Sequence, residues 1–161
     1  MNTLLEILDD KFAQIAAGWG EVVHELNSDT LYRKPANLRS LSGGEHIVRS
    51  ARIVEQTFGG ITASLWDDPL EWTLPETLTT PAAVLDYLRE VEATRKRGFE
   101  LIKTEEDLTK EIMTATGTRQ LLSLLLDTLV RAGHHLLSAR EVLKQLSSEN
   151  LRATPTANIN G

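Results

Sequence analysis

The stretch from Arg119 to Leu146, RQLLSLLLDTLVRAGHHLLSAREVLKQL, decides the fold class of this 161-residue chain. Leu122, Leu125, Leu129, Ala132, Leu136, Ala139, Leu143 and Leu146 recur at three- and four-residue steps, which gathers them on one side of a helix. A strand would need a period of two. The spacing predicts a long amphipathic helix over roughly 119–146, and its narrow apolar seam needs other helices to cover it.

Three more segments carry that period. Leu5, Leu8, Phe12, Ile15, Trp19, Val22 and Leu26 form a first helix, which opens beside Glu6, Asp9 and Asp10. The turn-forming Asn27-Ser28-Asp29 and Lys34-Pro35-Ala36-Asn37 end it. Ser42 and Glu45 have the spacing of a capping box, and Ile47, Ala51, Val54, Phe58 and Ile61 continue a second helix from there. Thr80-Pro81 opens a third, with Thr as the cap and Pro where its missing N–H costs nothing, followed by Val84, Leu88, Val91 and Phe99.

Between helices two and three, Asp67-Asp68-Pro69 and Leu74-Pro75 make a long connection holding Trp66 and Trp72, long enough to cross a bundle. Before the last helix, Thr114 to Thr118 reads as a turn or short extended piece. The expected fold is all-α, a four-helix bundle over 1–148, with non-trivial topology as good a candidate as up-and-down. Residues 149–161 are polar and read as a disordered tail.

A net charge of −6 argues against nucleic acid, whose binding rests on clustered Lys and Arg. The run Arg95-Lys96-Arg97 has acidic neighbours and reads as a solvated helix face. With no cysteine, there are no disulfides and no thiolate ligands, so a metal would have to be held by His, Asp or Glu. The N-terminus lacks the layout of a signal peptide, and no apolar run approaches the roughly twenty residues of a membrane span. A soluble cytoplasmic homodimer without a membrane partner is expected.

The chemistry rests on the histidines. His46 borders the helix-two stripe and His135 the edge of the Leu seam, whereas His134 is rotated about 100° away. If helices two and four are neighbours, His46 and His135 approach each other and begin a divalent-metal site for zinc or nickel, with Asp127 as a possible third ligand. Boundary histidines bonded to their neighbours are the alternative. His24 lies off the helix-one seam and reads as a surface residue. Arg140 falls on the side of Leu129 and Leu136, so it must find a carboxylate, leave for solvent, or line an interior cavity with His135.

Leu41-Ser42-Gly43-Gly44-Glu45-His46-Ile47-Val48-Arg49 and Val130-Arg131-Ala132-Gly133-His134-His135 resemble the motifs of the DinB/YfiT-like superfamily. The resemblance implies a four-helix bundle with three metal-binding histidines, two of which fall on Arg49 and Arg131 here, leaving His135. A guanidinium has no lone pair for a metal, so Arg49, Arg131 and Arg140 become candidates for binding a small anionic or thiol-containing ligand, the alternative being that Arg49 and Arg131 turn outward or pair with Glu45, Glu55 or Asp127. The implied function is a bundle with an eroded metal site, without a cofactor. One alternative is an active metal-dependent hydrolase or thiol transferase using His46 and His135. Another is a structural homodimer burying apolar surface around Trp66, Trp72 and the helix faces. No catalytic residue is assigned.

Overall fold

The computed structural model of the chain describes residues 3–36, 39–66 and 76–153. Four helices form where the periodicity places them: α1 over Leu4–His24, α2 over Gly43–Ala63, α3 over Pro81–Leu101 and α4 over Leu121–Ala153. A 3-10 turn at Glu105–Thr109 and a hairpin of β1 (Glu111–Thr114) and β2 (Gly117–Gln120) separate α3 from α4. Helices dominate, as the sequence predicts, and the hairpin occupies the segment read as a turn or extended piece. Gly117, with φ +122°, takes a backbone angle that L side chains rarely adopt just after the two-residue loop.

The helix starts are set by side chains. Thr3 and Glu6 close a complete capping box on α1, and Thr80 accepts from the Ala83 N–H with Pro81 at the first turn of α3. At α2 the Ser42 half of the expected box forms, Ser42 accepting from the Glu45 N–H.

Helix α1 packs on α3 and α4, and α2 packs on the same two, so α1 and α2 face each other across the core. Partner residues fix the directions. His46, Ser50 and Thr57 of α2 meet His135, Ala132 and Thr128 of α4, so these helices are antiparallel. Gly18 and Glu21 of α1 meet Leu136 and Arg140 of α4, with numbers rising together, so these run parallel. Asp9 and Phe12 lie near the C-terminal end of α3, against Arg95 and Phe99, which makes α1 and α3 antiparallel. The order is therefore up, down, down, up. Adjacent α2 and α3 run the same way, so the end of α2 and the start of α3 lie at opposite ends of a bundle roughly 30 Å long. The part of that connection from Asp67 to Pro75, Trp72 included, lies outside the described residues. Of its described part, the Leu78 carbonyl accepts from the Tyr32 hydroxyl.

The core is aliphatic with an aromatic centre, where Phe12 meets Phe58 and Phe99 with ring centroids 5.1 and 5.7 Å away. On α4 the fully buried positions are Leu121, Leu124, Leu125, Thr128, Ala132, Leu136, Ala139, Val142 and Leu146, while Leu122, Leu129 and Leu143 are only partly covered. The buried arc is turned from the expected Leu seam and is wider, because α4 is covered by α1 on one side and α2 on the other. Helix α4 also continues through Ala153, seven residues past Leu146. Residues 149–153 thus prolong the helix where a tail was expected; 154–161 lie outside the described residues.

One basic residue departs from its expected place. Arg95 is 2% exposed rather than solvated. Its guanidinium donates to both carboxylate oxygens of Glu92 and to Asp9 of α1, and lies 5.5 Å from the centre of the Phe99 ring. Burial pushes its pKa down, but the hydrogen bonds to Glu92 and Asp9 outweigh that and the net shift is upward. Among the described residues, no helix is long and apolar enough to cross a membrane.

Candidate functional site

The site lies at the end of the bundle where α2 begins. The Gly44 N–H donates to the Leu31 carbonyl at 2.8 Å, and a Cβ at Gly44 would stand 2.5 Å from that same oxygen. Only glycine permits this approach of backbone to backbone, which together with the Ser42 cap fixes the first turn of α2. Two residues on, His46 is held at 7% exposure.

One turn deeper, Ser50 accepts from the Trp19 indole N–H and donates to the Ala132 carbonyl, both at 2.7 Å. This fully buried hydroxyl ties α1, α2 and α4 together at one level. His135 follows Ala132 by three residues on α4, so the Ser50 bridge sets the height at which the two histidines face each other.

His46 and His135 meet through their Nδ1 atoms at 3.0 Å, with ring centroids 5.3 Å apart and planes tilted by 44°. Two ring nitrogens at that distance share one proton, so one imidazole donates and the other accepts. The Nε2 atom of His46 lies 3.0 Å from the Ser40 hydroxyl. If His46 donates from Nδ1, its Nε2 accepts from Ser40 and His135 carries its proton outward. If His135 donates, His46 passes its own proton to Ser40 and the Nε2 lone pair of His135 is free.

Electrostatics favour the neutral pair. Burial pushes the His46 pKa down, helped by the charges of Arg49 and His134, against an opposing pull from Glu45. For His135 the value falls to about 4, first through burial and then through His46, His134, Arg49 and Arg131. His134 is exposed, its ring 5.7 Å from that of His135.

The expected neighbourhood of His46 and His135 is therefore present, and the rest of the expected site divides. Arg49, exposed and one turn along α2 from His46, makes no hydrogen bond or ion pair among the described residues. Arg131 stands one turn before His135, 56% exposed, 4.0 Å from Asp127. Asp127 is not brought to the histidines. It lies eight residues before His135, roughly 12 Å along the helix, and pairs with Arg119 at 3.7 Å as well as Arg131. Arg140 takes the ion pair, reaching Glu21 at 3.5 Å, and lines an outer groove beside His134 rather than a cavity with His135. Trp66 packs its ring over Gly60 and is half-buried, while the adjoining Leu65 is exposed.

Two imidazoles could serve a metal, but the Asp127 carboxylate is engaged with Arg119 and Arg131. Among the described residues, no three of His, Cys, Asp and Glu converge as a ligand set. The donors present do not fit a three-histidine centre.

Sequence reasoning missed Ser40, Ser50 and the Thr57–Thr128 pair, whose hydroxyls meet at 2.7 Å. Ser50 and Thr57 share the phase of Ile47 and Val54, so periodicity read without regard to polarity would have buried them. Ser40 sits in a loop and carries no such signal. Comparison with family models, characterised proteins and solved structures returns no match.

Proposed function

We propose that the chain is a DinB-like four-helix bundle in which a small-ligand site has taken the place of a metal centre. The His46–His135 pair forms its centre, and Arg49 and Arg131, whose charges act on His135, supply positive charge for a small carboxylate, phosphate or thiol-containing anion. The observation that carries this reading is the direct Nδ1–Nδ1 hydrogen bond between two neutral imidazoles beside an arginine with no partner among the described residues. The imidazoles offer each other their ligating nitrogens, and the guanidinium offers planar, paired donors that suit an oxyanion.

Negative charge near His46 and His135 would also favour their protonation, so ligand binding should strengthen as pH falls toward the histidine range. The test combines elemental analysis of tag-free protein, before and after reloading with zinc, nickel and manganese, with thermal shift assays. The thermal shifts would be read against phosphate, dicarboxylates and small thiol acids. The expected result is protein that stays metal-poor and is stabilised by at least one anion class, with the shift lost in Arg49→Ala. Near-stoichiometric metal that disappears in His135→Ala would overturn this reading in favour of a two-histidine metal site. Protein that responds to neither metal nor anion would favour a structural role.

A further inference from the structure

Helix α4 carries a second apolar edge that the bundle does not cover. Leu126, Val130 and Leu137 are 47%, 72% and 64% exposed, and with Gly133 they follow each other at steps of four, three and four. That is heptad spacing, on the side of α4 turned away from its buried arc. Gly133 has no internal reason to be glycine: a Cβ there would meet nothing within 4 Å. A glycine inside a helix costs about 1 kcal/mol against alanine. On the α1 side, Lys11, Gln14 and Ile15 border the same edge, and the groove between the two helices encloses about 680 Å³.

We propose that this edge is the interface of a homodimer in which α4 packs antiparallel against α4 of a second copy, centred between Arg131 and Ala132. In an antiparallel heptad pair the two core positions alternate across the axis. This centring sets Leu126 against Leu137 of the second copy and Val130 against its Gly133. A branched side chain thereby fills the space the missing Cβ leaves, and all four edge residues are used among themselves.

Charge favours the same register. Asp127, which within its own chain lies 3.7 and 4.0 Å from Arg119 and Arg131, and His134 follow Leu126 and Gly133 and hold equivalent flanking positions, so Asp127 of each copy faces His134 of the other. An imidazole N–H or imidazolium beside a carboxylate is a favourable pair on both edges of the interface. Parallel packing in register would instead set Arg140, one heptad past Gly133, against Arg140 of the second copy at a core position, which is repulsive. The interface is isologous, as a closed two-fold dimer requires. It does not depend on the ligand site, which lies around His46.

The test is sedimentation velocity across a concentration series, together with cysteine cross-linking, which the cysteine-free chain makes unambiguous. Wild-type protein is expected to dimerise reversibly. Val130→Glu should be monomeric with unchanged helical circular dichroism, since the side chain is exposed within one chain. A mixture of Leu126→Cys and Leu137→Cys chains, one carrying a mass tag, should oxidise to the mixed dimer, while Leu126→Cys alone should not cross-link to itself. Its two copies would lie about 16 Å apart along the axis, beyond the reach of a disulfide. A monomeric wild type, or a dimer that survives Val130→Glu, would overturn the interface. Self-cross-linking of Leu126→Cys would overturn the antiparallel register.

Discussion

The two ends of this bundle both bury polar side chains, and they solve the problem in opposite ways. Near the start of α1, Arg95 brings a full charge into the interior and is met by Asp9 and both oxygens of Glu92. Near the start of α2, His46 and His135 are kept neutral, share one proton, and have Arg49 beside them, which makes no ion pair among the described residues although Glu45 acts on His46 from the same helix turn. A buried charge that is fully answered holds helices in register and has nothing left to offer. A neutral pair beside an unanswered cation is built to receive something. The contrast separates a structural cluster from a candidate site.

The harshest way to break the comparison is to remove the charge at the closed end. Arg95→Ala would leave Glu92 facing Asp9 across a void beside Phe99, and loss of one partner from a buried pair is strongly destabilising. Because Asp9 is half-exposed and can regain water, the lower part of the usual range applies, about 3 kcal/mol. Urea denaturation should show this as a lower midpoint with unchanged slope. A loss under about 1 kcal/mol, the range of an exposed ion pair, would mean that the Arg95 cluster is ordinary surface charge.

A milder cut tests what the open end rests on. Ser50→Ala leaves the Trp19 N–H without its acceptor in a fully buried place, which should cost about 2 kcal/mol. It should also loosen the level at which His135 faces His46, because the bridge to the Ala132 carbonyl is lost. Histidine ring resonances by NMR would read this second effect. Stability lost with the two rings unmoved would show that the pair is positioned by α2 and α4 alone.

The two ends were also unequally legible in the sequence. The aliphatic stripes of α1, α2 and α3 follow from spacing, since burying a leucine asks only for a side and a period. The meeting of His46 with His135 followed from the same reasoning once α2 and α4 were taken as neighbours. The Arg95 cluster was hidden, because a basic run is indistinguishable from a solvated face until the fold brings Asp9 from eighty-six positions away. The pairing of Asp127 was hidden for a related reason. Its place on α4 was known, but its capture by Arg119 depends on a hairpin that folds back over the helix start. The crossing of the chain was legible only as a long connection, and its direction required the contacts between helices.

The smallest expected effect is the one that distinguishes the ends most sharply, because it depends on pH. In the unfolded chain both histidines titrate near 6.5. In the folded protein His135 is held at about 4 and His46 below its ordinary value. Between these limits the unfolded state binds more protons, so stability rises with pH. The contribution of the pair is therefore complete above pH 6.5 and is lost progressively as pH falls from 6.5 toward 4. At the other end the guanidinium of Arg95 stays charged throughout this window. Melting temperature should fall as pH drops from about 7 to about 5, each kcal/mol amounting to about 2–4 °C for a chain of this size. In the double variant His46→Asn, His135→Asn that fall should shrink, and Arg95→Ala should keep it. A bound anion at Arg49 would work against the fall by favouring the protonated pair, so adding the ligand at low pH should restore part of the lost stability. If the double variant instead keeps the wild-type profile, protonation elsewhere governs it and the neutral pair is not what sets this end apart.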